Sequence, residues 1–164
     1  MEHFIIMFTN LDDVVGAYQN KQSESKFLER PNWSGFPSCK MWNVLSDIIK
    51  DNISLFQNCA SWGEVYDKIV DLLNDRGISF AGMYDAVSYV SYQIAEEYHM
   101  QIDDSTMPIK SGALVFDALK TKKNEVLELL STHSQKFCEL NDNGKIGFIL
   151  SHPRLIRVVL KYLH

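Results

Sequence analysis

The segment from Ser61 to Gly77 constrains the fold most, because its residues specify where a helix starts, where it ends and which face it buries. Ser61 and Glu64 form the capping-box pattern, in which the serine hydroxyl accepts the third helical N–H and the glutamate reaches back to the cap. Residues 74–77, Asn-Asp-Arg-Gly, provide a glycine stop. Between these signals, apolar residues follow the spacing of one buried helical face. They are Trp62, Val65, Tyr66, Ile69, Val70, Leu72 and Leu73.

The opposite face of this predicted helix is acidic. Its acids are separated by three, four and four residues, which places them along one line on the side that should face water. They are Glu64, Asp67, Asp71 and Asp75. Such a line of carboxylates is either a solvated face or a contact surface for a basic partner.

A second amphipathic helix is predicted to follow, capped by Ser79 and ending near His99. Its predicted core face comprises Phe80, Met83, Tyr84, Val87, Val90, Ile94 and Tyr98. Its predicted solvent face carries Asp85, Tyr89, Tyr92 and Glu96. Tyrosine is enriched at protein contact surfaces, because it combines a large apolar area with a hydroxyl group. We therefore predict a partner-binding surface formed by the acids and tyrosines of both helices, with simple solvation or secondary packing as the alternative.

Helical spacing also predicts helices before this pair. One should cover residues 2–19, unless residues 4–8 form a short strand that feeds a helix starting near residues 9–13. Another should run from Ser38 to about residues 57–58. The intervening residues 20–37 are polar and rich in turn formers, which indicates a long loop that is either functional or poorly ordered.

The C-terminal part should consist of a connector and further helices. Residues 101–110 form the connector, and Ser111 can cap the next helix. The apolar pattern breaks at 120–124 and stops at 141–144, Asn-Asp-Asn-Gly. A short helix or strand at 146–150 and a helix at 154–163 complete the chain. The predicted fold is therefore all-α, a single helical-bundle-like domain spanning 1–164 with about six or seven helices.

Composition limits the classes of partner. A chain of 164 residues can bury a core as one domain, and 46% apolar with 23% charged residues indicates neither disorder nor a membrane protein. The net charge of −5 disfavours nucleic-acid binding and favours a basic protein partner. Cys39, Cys59 and Cys138 lack any paired spacing, so we expect free thiols in a reducing, cytoplasmic setting.

The chain contains no convincing catalytic or cofactor motif. Cys39 with His133 or His152 is the best thiol-enzyme candidate, but no catalytic signature surrounds it, so a structural cysteine is the better interpretation. His99 with the acids at 103 and 104 is the nearest approach to a metal site and more simply caps a helix-to-loop transition. The glycines form no phosphate-binding loop. We therefore predict no enzyme activity, catalytic residue, metal or cofactor.

A short segment resembles the first homology region of the apoptosis-regulating B-cell-lymphoma family. Leu55-Phe56 is followed after five residues by Trp62-Gly63, as a Leu-Phe pair precedes Asn-Trp-Gly-Arg in that family. The resemblance covers about 10 residues and has Glu64 at the position of the family's arginine. It implies a helical regulator whose hydrophobic groove binds an amphipathic death-ligand helix.

Surface composition and missing chemistry together favour a non-enzymatic protein-binding domain. The most concrete form is an acidic inhibitor or immunity-type protein that neutralises a basic toxin or nuclease by steric occlusion and electrostatic steering. The helical apoptosis regulator and a thiol-dependent enzyme are the alternatives. Arg154, Arg157 and Lys161 share a face of the last predicted helix and either meet an acidic partner or serve a solvated or intramolecular role.

Overall fold

The computed structural model describes residues 10–24, 28, 39–79, 83–108 and 111–163. These residues form ten α-helices, one 3-10 turn and no β-strand, which confirms the all-α fold. The helices are α1 (Leu11–Glu24), α2 (Cys39–Asp51), α3 (Ile53–Gln57), α4 (Trp62–Asp75), α5 (Tyr84–Glu97), α6 (Leu114–Thr121), α7 (Lys123–His133), α8 (Gln135–Glu139), α9 (Asp142–Ser151) and α10 (Pro153–Leu163), with the 3-10 turn at Asp104–Thr106.

The helix count exceeds the prediction because short breaks divide two segments that the apolar pattern showed as continuous. Asn52 separates α2 from α3, and Ser134 separates α7 from α8. Ser134 has an extended backbone, accepts a 3.0 Å hydrogen bond from the N–H of Phe137 and donates a 2.5 Å bond to Asp12 of α1. The second break is therefore a capped helix start that also ties α8 to α1.

Helix α5 lies at the centre of the bundle and packs against α4, α6 and α9. Its buried residues surround most of the helix; they are Ala86, Val87, Ser88, Tyr89, Val90, Ser91, Tyr92, Ile94 and Ala95. The two serines pack into the core because their hydroxyls donate 2.7 Å hydrogen bonds to backbone carbonyls one turn earlier. The Ser91 hydroxyl also accepts a 3.0 Å bond from the Trp62 indole N–H, which joins α5 to α4.

The predicted ends of α4 are confirmed. Ser61 accepts a 3.4 Å hydrogen bond from the N–H of Glu64, whose carboxylate accepts a 2.6 Å bond from the N–H of Ala60, one residue before the cap. At the other end Gly77 has a φ of +65°, and the N–H of Ile78 donates to the Leu73 carbonyl at 2.9 Å. This is the Schellman termination that a glycine stop predicts.

The predicted boundaries of other elements need correction. Helix α1 begins at Leu11, as the shorter alternative predicted, and extends through 20–24 of the predicted loop. Helix α5 begins at Tyr84 and not after Ser79, and α6 begins at Leu114. Residues 1–9, 25–27, 29–38 and 80–82, which include the possible strand at 4–8 and Phe80, lie outside the described residues.

The predicted stop at 141–144 follows the end of α8 at Glu139, and the same residues also start a helix. The Asn141 side chain accepts a 2.7 Å hydrogen bond from the N–H of Gly144 and caps α9. Residues 146–150 therefore belong to a buried helix and not to a strand. An asparagine-rich sequence favours either end of a helix, because the same side chain caps N-termini and tolerates turn conformations.

Candidate functional site

Helix α4 presents four carboxylates to solvent, as its sequence predicted. Glu64, Asp67, Asp71 and Asp75 are all exposed, and we call this set the acidic stripe. The opposite face of α4 is buried in the core through residues that include Trp62. Since both helix ends are capped and one face is buried, the acidic stripe is held on a fixed support.

The acids of the stripe differ in their surroundings. Glu64 is engaged with the N–H of Ala60 and so contributes to the helix start. Partial burial, and after it the negative charge of Asp71, raise the pKa of Asp67. A cation placed beside this pair would relieve their repulsion, so the middle of the stripe is the point where a basic partner gains most.

Tyr89 and Tyr92 do not face water, and this prediction is wrong. Their side chains are 0% and 4% exposed, because α5 is enclosed by other helices. The Tyr92 hydroxyl donates a 2.5 Å hydrogen bond to the Asn143 carbonyl, and its ring meets Trp62 edge-on at 6.1 Å. Burial raises the pKa of Tyr92. Both tyrosines are core residues and cannot anchor a partner directly.

Asp85 is also removed from the predicted contact surface. Burial raises the pKa of its carboxyl group, and the backbone N–H groups of Val115 and Leu114 and the charge of Arg157 oppose that rise. These N–H groups belong to the first turn of α6, whose N-cap residue, Ala113, provides no side-chain acceptor. The Asp85 carboxyl group therefore lies near the first turn of α6, where the N–H groups at a helix start favour negative charge. Of the four predicted α5 residues, only Glu96 is exposed.

The segment that resembles the apoptosis-regulating family is largely occupied in packing. Phe56 and Trp62 are fully buried, whereas Leu55 is 41% exposed. A Cβ atom at Gly63 would lie 2.7 Å from the Thr106 carbonyl oxygen, so the connector after α5 covers this glycine closely. Glu64, at the position of the family's arginine, turns back to its own backbone.

Groups with possible chemistry serve structural roles where the structure describes them. His152 is buried between α9 and α10, and burial lowers its pKa to about 4. Asp103 caps the 3-10 turn by accepting from the backbone N–H groups of Ser105 and Thr106. Within the described ranges, no three His, Cys, Asp or Glu residues are grouped so that they could hold a metal ion. The side chains of Cys39 and Asp104 lie outside the described residues.

Helix α10 carries a second charged surface that the eight predicted site residues did not include. Arg154, Arg157 and Lys161 are exposed, and we call this set the basic face. Tyr162 beside it is 51% exposed. The alternation of these residues with buried leucine, isoleucine and valine was visible in the sequence as an amphipathic pattern. The structure adds the exposed tyrosine.

No protein-family model matches the chain, and neither a curated protein nor a solved structure is significantly similar to it. None of the described helices is long and apolar enough to cross a membrane.

Proposed function

We propose that this protein is a non-enzymatic protein-binding domain that presents the acidic stripe of α4 to a basic partner. The observation that carries the proposal is the exposure of four carboxylates in one line on a capped helix. The α-helical rise of about 1.5 Å per residue places successive acids about 4.5 to 6 Å apart along the axis. A partner with lysines or arginines at similar intervals could meet several of them at once.

The proposed mechanism is electrostatic steering followed by occlusion. Complementary charges accelerate encounter and fix the orientation of the complex, whereas each exposed ion pair adds only about 0–1 kcal/mol to affinity. The bulk of the bundle would then cover the partner's own site. In its most concrete form, the domain is an inhibitor or immunity-type protein that neutralises a basic toxin or nuclease, with carboxylates replacing the phosphates that such an enzyme recognises.

A pair of charge-matched variants tests the site. Asp67→Lys with Asp71→Lys changes the net charge from −5 to −1, because each replacement adds two charges. Glu125→Lys with Glu128→Lys makes the same change at exposed positions on α7. The probes are purified basic ribonucleases and toxin nuclease domains, with binding and inhibition of nuclease activity as the readouts.

We expect the wild-type protein and the α7 variant to bind and inhibit at least one probe similarly, and the α4 variant to bind more than about tenfold more weakly. Equal loss in both variants would mean that only net charge matters. Unchanged binding by the α4 variant would show that the acidic stripe is not the site. Absence of binding by the wild-type protein to every probe would remove the nuclease-inhibitor form of the proposal.

One observation favours the helical apoptosis regulator as a second candidate. Helix α5 is buried on most of its surface at the centre of an all-α bundle, and the exposed Leu55 adjoins the segment that resembles the family. Calorimetry with a panel of death-ligand helix peptides separates the two functions. Submicromolar binding of a peptide would favour the apoptosis regulator with a peptide-binding groove. Absence of any heat of binding with every peptide would exclude this function.

A further inference from the structure

We propose that the basic face of α10 binds the acidic stripe of a second copy of this chain, so that molecules associate head to tail. The contact would join Arg154, Arg157 and Lys161 of one molecule to α4 of the next. It uses the same acidic stripe as the proposed function, but it requires no other protein.

The two surfaces match in sign and in spacing. Arg154, Arg157 and Lys161 are separated by three and four residues, and the first three acids of the stripe have the same separation. Two helices laid side by side in parallel can therefore align three opposite charges without bending either helix. Both sets are exposed, and both belong to helices whose other face is buried in the core.

The two surfaces belong to helices that pack chiefly against different neighbours. Helix α4 packs chiefly on α5, whereas α10 packs chiefly on α6 and α7. The charge of Arg157 also acts on Asp85 of its own chain, while its side chain stays exposed beside Arg154 and Lys161. Residues 143–164 contain four basic and no acidic residues, so they carry +4 while the remainder carries −9. This strong asymmetry orients approaching molecules head to tail, although the net charge opposes association.

An exposed aromatic ring completes the basic face. Tyr162 is 51% exposed and follows Lys161 directly, so it offers apolar area at the edge of the charged contact. Tyrosine and arginine are the residues most often found at the energetic centres of protein interfaces. Three cations in a line are too few for a nucleic-acid or membrane surface on a chain of net charge −5, so a protein with a short acidic surface is the better match.

The proposed contact is weak, dependent on salt and open-ended. Exposed charge pairs are screened over about 10 Å at 0.1 M salt, so the association should disappear at high ionic strength. Because different surfaces meet, a pair of molecules retains one unused acidic stripe and one unused basic face, on different molecules. Such heterologous contacts form rings or open chains and not a closed symmetric dimer.

Sedimentation equilibrium of the full chain tests the proposal. At about 20 mM NaCl we expect a weight-average mass above the 18.9 kDa monomer that rises with concentration, and at about 500 mM NaCl the monomer mass. Two double variants should each remain monomeric at low salt. The first is Arg154→Glu with Lys161→Glu, and the second is Asp67→Lys with Asp71→Lys. Arg157 and Glu64 are left unchanged because both act within their own chain.

A mixture of the two variants provides the decisive measurement. The first variant retains the acidic stripe and the second retains the basic face, so an equimolar mixture should associate although each is monomeric alone. Two control variants match these net charges at exposed positions elsewhere on the protein. They are Lys40→Glu with Lys50→Glu, and Glu125→Lys with Glu128→Lys, and each should associate like the wild type. If the Arg154/Lys161 variant is unfolded by circular dichroism, Arg154→Gln with Lys161→Gln takes its place.

A monomeric wild-type protein at low salt overturns the proposal, as does a mixture of the variants that stays monomeric. Association that persists unchanged in the Arg154/Lys161 variant also overturns it, because the basic face would then be irrelevant. The same variant keeps the acidic stripe intact and should still bind a basic partner. Loss of self-association with retained partner binding therefore separates this contact from the proposed function.

Discussion

His152 makes the stability of this protein depend on pH in a way that its buried position determines. The imidazole is 3% exposed, stacks on the Phe148 ring at 4.3 Å and meets the Tyr18 ring edge-on at 6.1 Å. Its Nδ1 lies 2.8 Å from the Phe148 carbonyl oxygen, and because a carbonyl can only accept, this contact places a proton on Nδ1. Burial nevertheless dominates and lowers the pKa of His152 from 6.5 to about 4.

The lowered pKa fixes the sign and size of the effect. The unfolded chain binds a proton at His152 near pH 6.5 and the folded protein only near pH 4, so acidification favours unfolding. The contribution of neutral His152 to the free energy of unfolding is fully present above about pH 6.5 and is lost as the pH falls toward 4. At 1.36 kcal/mol per pH unit, the loss is about 2 kcal/mol between pH 7.5 and 5 and about 3 kcal/mol below pH 4.

Urea unfolding of the wild-type protein and of His152→Gln at pH 7.5 and 5 measures this contribution. The glutamine variant will be less stable at both pH values because the ring packing is lost, but the difference between pH values is the relevant quantity. Asp12 and Asp103 have carboxyl groups with lowered pKa values, so their contribution to folding stability also falls on acidification. This fall is the same in both proteins and cancels in the comparison. We expect the wild type to lose about 2 kcal/mol more than the variant.

Equal pH dependence in the two proteins would refute the reasoning, since His152 would then titrate alike in the folded and unfolded states. An NMR titration of the His152 ring gives an independent check that needs no variant. We expect its resonances to remain those of the neutral ring at pH 5. A midpoint near 6.5 would contradict the burial argument.

Five further substitutions test local geometry by thermal and urea unfolding. Gly147→Ala places a Cβ against two buried tyrosine side chains, so we expect the free energy of unfolding to fall by about 1 kcal/mol. Gly16→Ala places a Cβ against only the flexible end of a lysine, so we expect the free energy of unfolding to rise by up to about 1 kcal/mol. His99→Gly relieves a φ of +55° at the end of α5, so we expect it to stabilise the protein by about 0.5–1 kcal/mol. Gly77 has a φ of +65°, so we expect Gly77→Ala to destabilise the protein by a similar amount. Ser134→Ala removes the α8 cap and should cost about 1 kcal/mol. Higher stability of Gly147→Ala, lower stability of His99→Gly or unchanged stability of Ser134→Ala would contradict the geometry described at that residue.

Helix α4 was predictable from sequence because all its signals are local. The serine cap, the apolar spacing and the glycine stop lie within 17 residues, and the structure reproduces each of them. The exposure of its acids also follows directly, since the buried face of a short amphipathic helix determines the opposite one. All four α4 acids of the predicted contact surface were therefore placed correctly on the solvent side.

Three of the four predicted α5 residues, all but Glu96, were misplaced because the position of α5 depends on distant residues. The Tyr92 hydroxyl bonds to a carbonyl 51 positions away, and Asp85 interacts with the start of a helix that begins at Leu114. Neither partner can be identified from the spacing of α5 itself. Tyrosine and serine have polar atoms, so a helix that is buried on most of its surface resembles an amphipathic one in sequence.

Unlike Glu64, the remaining acids of the acidic stripe are not placed to stabilise their own helix, which supports the proposed contact role. Asp75 lies in the last turn of α4, where the helix dipole favours cations, and the neighbouring cation, Arg76, lies at the C-cap beyond that turn. Asp67 and Asp71 repel one another at a separation of four residues, and this repulsion adds to the partial burial that raises the pKa of Asp67. Each effect typically costs a few tenths to about 1 kcal/mol. A neutral or basic residue at these exposed positions would remove the cost without disturbing the buried face. A basic surface that meets the stripe, as we propose for another protein or for α10 of a second copy, would offset that cost.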